Sequence, residues 1–426
     1  MQNYVNNHLQ NHLNRRLILQ SAAAGLTVLA AGCATSAKDG RPRVVVIGGG
    51  WGGMGAARAL AESNKVAVTL LEPNESFISC PMSALFYAGH EQLSYLQRSY
   101  APLDKLGIRR VRERAIGIDR AAQMVVTATQ KLPYDFLVLS PGIEYMEESL
   151  PGYAQGRDQL PVGFRAFEQL AVKQQIDTFL SQGGNMVITA PKPPYRCPPA
   201  PYERAMMVAE QMKLRGTKGK IILIDANPNP MPPPIAKPVL HAMQSLYADQ
   251  IEYMPNTEMR SVDAARKVLS TSKGDISYRA ANIVLPMRAP SLIREAKLGE
   301  RWASIKLPTF QSSADDKIYV IGDSVGTPLP MSGHVAFSTG QQVANDILAT
   351  ILGKAVRQPL GTEVTRPAGI CWCKVTKSNA IMIYVTPSME IGQPPKNKFQ
   401  VDPQHNPASG KASRDWAQSM WNAMLG

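Results

Sequence analysis

The chain has 426 residues, with 46 Lys or Arg against 33 Asp or Glu, and a formal charge of +13. A hydrophobic fraction of 44% supports a packed core and excludes wholesale disorder, and five cysteines are too few for a disulfide scaffold. The basic residues are scattered without a Lys/Arg block, so the charge reads as a solvated surface or a face for an acidic protein partner, and nucleic acid is not expected. The length suggests two or three domains.

Residues 14–20 read N-R-R-L-I-L-Q, and a small-residue apolar run follows from Ser21 to Ala31. This is the pattern of an export signal over residues 1–37, and the pair Arg15-Arg16 points to the twin-arginine route and hence to the periplasm. The apolar run is too short and broken to be a good membrane span. Leu29 to Cys33 resembles a lipoprotein cleavage site with Leu29 one place early, so Cys33 is a candidate lipid anchor. Loss of the signal lowers the charge of +13 by two arginines only.

Arg43 to Ile47 reads as a buried strand. Gly48, Gly50 and Gly53 follow as G-x-G-x-x-G, then a helix over Gly55 to Ser63 and a strand Val66 to Leu71 ending at Glu72. Strand, glycines, helix and acid together form a dinucleotide fingerprint. Gly48 permits the tight turn, Gly50 lets the backbone approach a pyrophosphate, and Glu72 accepts from an adenosine ribose. Tyr134 to Ile143 is a strand entering a Pro-Gly turn. Lys317 to Gly326 is a strand ending in Gly-Asp, and by resemblance to flavoproteins with two dinucleotide domains Asp323 reaches the ribityl chain of FAD. The helix starting at Ser332 offers its N-terminus to negative charge on a reduced flavin ring.

A second unit of the same kind begins with Asn185 to Ala190 and includes Ile221 to Asp225, but its phosphate loop is missing. Residues 191–204 read P-K-P-P-Y-R-C-P-P-A-P-Y-E-R, and prolines remove the N–H donors a pyrophosphate needs. The expectation is a retained fold without an NAD(P)H site.

Cys80, Cys197, Cys371 and Cys373 remain after the leader, none in a c-type haem motif, and the six histidines lack metal-ligand spacing. Cys197 lies in the proline-framed loop beside Arg196 with Lys192 near in sequence, a setting that favours the thiolate. Glu203 is placed to shuttle protons. From the residues alone, Cys197 and Cys371 read equally as an inert disulfide or a redox pair, and Cys80 as a small buried hydrophobe.

After the leader the chain resembles the flavoprotein subunit of flavocytochrome c sulfide dehydrogenase. The resemblance rests on V-V-V-I-G-G-G-W-G-G (44–53), L-E-P-N-E-S-F-I-S-C (71–80), Y-R-C-P-P-A-P-Y-E-R-A (195–205), I-G-D-S (321–324), C-W (371–372) and the aromatic C-terminus. It implies FAD held covalently through Cys80, a redox disulfide between Cys197 and Cys371, Glu203 as proton handler, and a c-type cytochrome partner. The sequence departs from the family at Pro-Met-Ser after Cys80 and at the extra Cys373. The implied fold is α/β and glutathione-reductase-like. An FAD domain spans 41–150 and 283–360, a second Rossmann-like domain 151–282, and a C-terminal α+β interface domain 361–426. Asp415 to Leu425 puts Trp416, Met420, Trp421 and Met424 on one face, read either as packing on the body or as part of the cytochrome contact. A sulfide:quinone oxidoreductase, a non-catalytic flavoprotein accessory subunit and a plain thiol–disulfide exchanger are the rival readings.

Overall fold

The computed structural model describes residues 40–354, 368–388 and 396–426. The expected export signal with Cys33 lies outside them, as does the expected domain boundary at 360.

The apolar run Val44–Ile47 is the centre of a seven-stranded sheet. Its order is Ile305–Lys306, Gln311–Ser312, Asp315–Val320, Phe136–Leu139, Arg43–Ile47, Ala67–Leu71, Arg109–Val111. The last five strands are parallel, and Val44, Val46, Leu137 and Val320 are fully buried, as expected for strands covered on both faces. Register decides what meets at the carboxyl edge. Ile47 pairs with Leu71 and with Leu139, and Leu139 pairs with Val320. The loops that follow therefore emerge side by side and carry Gly48–Gly53, Glu72, Ser140–Gly142 and Gly322–Asp323, the place where open parallel sheets bind ligands.

A second parallel sheet runs Ile251–Met254, Gly219–Asp225, Gly184–Ala190, Ala280–Asn282. Ala190 pairs with Asp225 at its carboxyl edge, so the proline loop and Asp225 adjoin. The two parallel sheets, each flanked by helices, are the two Rossmann-like units of the α/β fold. The C-terminal residues add an antiparallel sheet of Gly369–Lys374, Ala380–Ser388 and Lys396–Val401.

Four helices position the site: α1 (Trp51–Glu62), α2 (Ala200–Arg215), α3 (Gly333–Ile351) and α4 (Pro407–Leu425). α1 begins at Trp51 rather than Gly55, because the glycine loop itself supplies its first turn. α1 and α3 cross at backbone contact. A Cβ on Gly340 would lie 2.2 Å from the Gly52 carbonyl, and one on Gly55 would lie 2.6 Å from that of Phe337. This approach sets the start of α3 against α1, with Gly333 on the Trp51 ring.

α4 is longer than the expected Asp415–Leu425. Asn406 accepts from the Ser409 amide at 2.7 Å and Pro407 opens the first turn, a capped start. Its apolar face is turned inward, which matches the first of the two readings, packing on the body. Trp421 and Met424 are buried, and Trp421 meets Tyr95 edge-on at 5.3 Å beneath the Arg98 guanidinium. Trp416 stacks on Trp51 at 5.5 Å and meets Trp372 at 5.2 Å. Each such side chain is worth about 1.5–3 kcal/mol when removed from water, so the body of the protein claims the face.

Candidate functional site

The glycine loop forms an open cradle. Gly48 has φ of +98°, and a Cβ there would meet the Ser140 carbonyl at 2.3 Å, so only glycine makes this turn. Gly53 packs on the Gly48 carbonyl, where a Cβ would approach to 1.8 Å. Above Gly50 there is free space, and this residue caps α1 without a side-chain bond, leaving the first-turn N–H groups to a ligand. Glu72 accepts from the Gly49 amide at 2.7 Å and from the Asn74 amide at 2.8 Å. Its carboxylate thus clasps the loop from the neighbouring strand. The buried indole N–H of Trp51 has no acceptor among the described residues.

Four thiols lie toward the second unit. All are free in this structure; Cys373 is buried and the others are partly exposed. Cys80 follows the strand Ser76–Ile78. Cys197 lies within the proline loop in the left-handed region, at φ of +52°. Its amide donates to the Met331 carbonyl, and its own carbonyl accepts from Ala200 at the start of α2. Cys371 and Cys373 stand two apart on one strand and so share a face. The field of Glu203 raises the pKa of all four thiols, and those of Cys80, Cys371 and Cys373 raise that of Cys197. The Lys374 amide ties Glu203 to the strand of Cys371 and Cys373, and Cys80 and Cys197 pack against one apolar cluster, so the residues read from sequence as the chemical site come together from three distant segments.

Burial dominates the titration of these groups. It pushes Cys80 up to about 11 against the opposing charges of Arg196 and Arg204, pushes Cys371 up to about 12, and holds Cys197 well above the ordinary thiol range. The expected thiolate-favouring setting of Cys197 is therefore corrected. The Arg196 guanidinium turns away, donating to Asp323 Oδ2 at 2.5 Å and to the Phe164 carbonyl at 2.9 Å. Lys192 pairs with Glu258 at the surface. Asp323 stands at the carboxyl edge as expected, with Oδ2 engaged by Arg196. Glu203, on the first turn of α2, is raised by burial to about 7 even though the Lys374 amide donates to Oε1 at 2.9 Å. A carboxyl titrating near neutrality beside thiols is suited to taking and returning protons.

The second unit lacks a comparable cradle. Asp225 sits where Glu72 sits in the first, but it is fully buried and its oxygens accept from Tyr202, Tyr253 and Asn227. Its acceptor capacity is used inside the protein.

Two family models match this chain. Residues 169–286 match the central part of the sulfide dehydrogenase (flavocytochrome c) flavoprotein chain, and residues 42–177 match pyridine nucleotide-disulphide oxidoreductases. A 45-residue stretch is 47% identical to the sulfide dehydrogenase flavoprotein chain of Chlorobaculum thiosulfatiphilum, covering 10% of this chain and 94% of that sequence. The chain belongs to this type of flavoprotein. It is also 24% identical over 332 residues to the mitochondrial sulfide:quinone oxidoreductase of Mus musculus, covering 73% of this chain and 72% of that one. The crystal structure of the sulfide:quinone oxidoreductase of Aquifex aeolicus superposes with a TM-score of 0.75 at 18% identity, over 90% and 91% of the two chains.

A flavoprotein of this type carries FAD, and the residues present fit it. The free-ended helix N-terminus, the space over Gly50, the Glu72 carboxylate and the unpartnered Trp51 indole provide donors and acceptors for a dinucleotide along the carboxyl edge. The start of α3 lies beside that of α1, which adds a second positive helix end. Sequence reasoning missed three residues of the flavoprotein's site. Arg204 is buried, donates to the Val162 carbonyl and opposes the charge of Glu203. Lys374 is buried in a strand where a lysine ordinarily marks a wet edge. Trp51, unremarked within the glycine motif, stacks on Trp416 at 5.5 Å.

Proposed function

We propose that the protein is a periplasmic FAD-dependent sulfide dehydrogenase subunit that passes electrons to a c-type cytochrome. The observation that carries the reading is the convergence of three segments at the carboxyl edge: the Lys374 amide of the Cys371 strand donates to Glu203, Cys80 and Cys197 pack on one apolar cluster, and Arg196 beside Cys197 reaches Asp323. In the oxidised protein Cys197 and Cys371 form a disulfide. Hydrosulfide attacks one sulfur, the S–S bond breaks, and a persulfide is left on that cysteine with a thiolate on the other. Glu203 accepts or returns the proton at this step, and its neutral-range titration makes both directions available. Arg196 and Arg204 face Cys80, the residue that would hold FAD through a thioether, and favour its anionic form when the link is made. FAD, when bound, takes two electrons from the sulfur centre and releases them singly. Asp225 and the proline loop argue against nicotinamide as the electron source.

The test is anaerobic addition of sulfide to the purified flavoprotein. Bleaching of the flavin absorbance, followed by reduction of added c-type cytochrome, is expected. A flavin that stays oxidised overturns the reading. The whole-chain likeness to a sulfide:quinone oxidoreductase supports a second acceptor. Reoxidation of the bleached flavin by a short-chain quinone but not by cytochrome would favour it.

A further inference from the structure

Lys374 is 1% exposed, one of the few charged residues so deeply enclosed. Its side chain crosses from the strand Gly369–Lys374 to α4, where Nζ donates to the Gly410 carbonyl at 3.1 Å. Its amide donates to Glu203 Oε1 at 2.9 Å. One residue thus ties the proton-handling carboxylate to the C-terminal helix. A buried ammonium on a single carbonyl is costly unless a charge compensates it.

The charged groups facing Lys374 are Glu203 and Glu210 of α2 and Arg414 of α4. Glu210 is already engaged by His90 at 2.8 Å and by the Lys377 amide at 2.9 Å. Arg414 pairs with Glu91 at 2.5 Å. Of the two acids, Glu203 acts more strongly on the ammonium, and it alone is also bonded by the Lys374 amide. Glu203 in turn faces the Lys374 amide and ammonium, Arg204 on its own helix, and the thiols of Cys80, Cys197, Cys371 and Cys373. Burial lowers Lys374 to about 8 and raises Glu203 to about 7, so the two charges coexist only in a narrow neutral window.

We propose that Lys374 is the positioning residue for Glu203: its amide holds Oε1 and leaves Oε2 to exchange protons with the thiols, while its ammonium, enclosed against the Gly410 carbonyl, supplies the positive charge that faces the carboxylate. The proton released when a thiol ionises then goes to Oε2, and the electron pair stays on sulfur. The proposal rests on the reading of Glu203 as proton handler.

The test follows the pH dependence of alkylation of the reduced protein's thiols by iodoacetamide, which needs neither sulfide nor cytochrome. Lys374→Met removes the charge. Lys374→Gln also removes it but keeps a donor for Gly410, and serves where the methionine variant does not fold. Each is paired with the Glu203→Gln background. In either single variant the limb that depends on Glu203 should move up by about one pH unit, a roughly fivefold slower reaction at pH 7 that approaches tenfold below about pH 6. The same replacements should cause no shift once Glu203 is Gln. A limb that stays in place in a variant with normal flavin content and melting temperature overturns the proposal, as does an equal shift in the Glu203→Gln background. If sulfide never bleaches the flavin while the limb still moves with Lys374, the proposed function fails and the positioning role stands.

Discussion

At the scale of single residues, burial sets the chemistry. Cys80, partly exposed, packs against an apolar cluster with Arg196 and Arg204 as its opposing charges. If it carries FAD, Cys80→Ser should still bind the dinucleotide through the Gly48–Gly53 cradle but release it on acid denaturation. Yellow colour that stays with denatured wild-type chain and leaves the variant is the expected result. Colour lost from both would refute the thioether. Glu203 allows a signed pH prediction. Its folded pKa is raised to about 7 from an ordinary 4.5, so its contribution to stability is complete below the ordinary value and fades as pH passes 7. Relative to Glu203→Gln, the wild-type melting temperature should therefore fall as pH rises through that window. A general base acts when ionised, so sulfide-driven bleaching should rise with pH through about 7 in wild type. Glu203→Gln should keep only the ionisation of sulfide itself.

At the scale of elements, the glycine loop and the C-terminal helix make opposite demands. Gly53 has no room for a methyl group, because its Cβ would lie 1.8 Å from the Gly48 carbonyl. Gly53→Ala should push α1 away from the loop, costing about 1–3 kcal/mol and most of the FAD occupancy. Retained flavin with an unchanged melting temperature would count against the cradle. α4 buries Met420, Trp421, Met424 and Leu425. Truncation after Ser413 removes all four, which at about 1.5–3 kcal/mol each approaches the whole stability of a typical domain. The truncated chain should lose its cooperative melt, with flavin bleaching and cytochrome reduction lost together. A stable truncated protein deficient only in cytochrome reduction would return the helix to the electron path. That face was legible from its helical spacing, but spacing cannot say which neighbour covers it.

At the scale of the molecule, two parallel sheets of one design have diverged at their carboxyl edges. The first keeps glycines, an acid clasping the loop, and space for a pyrophosphate. The second fills the corresponding corner with prolines and closes Asp225 with Tyr202 and Tyr253. Neither NADH nor NADPH should bleach the flavin within minutes under anaerobic conditions. Rapid bleaching at low nicotinamide concentration would show that the second unit still binds it.

The sequence by itself determined the two dinucleotide-type units and the glycine cradle, whereas Cys80, Cys197, Glu203 and Cys371 were singled out as a chemical site only by the family resemblance. The units and the cradle rest on local signals: turn chemistry at Gly48, apolar runs long enough for buried parallel strands, and prolines where amides are required. Only the tertiary structure decided the electrostatics. Arg196 precedes Cys197 in the chain yet serves Asp323, and Lys374 reads as a surface lysine yet lies buried against Glu203. Desolvation and pairing depend on atoms brought in from more than a hundred residues away, so no neighbouring residue announces them. The face of α4 was settled in the same way, by the body of the protein that covers it.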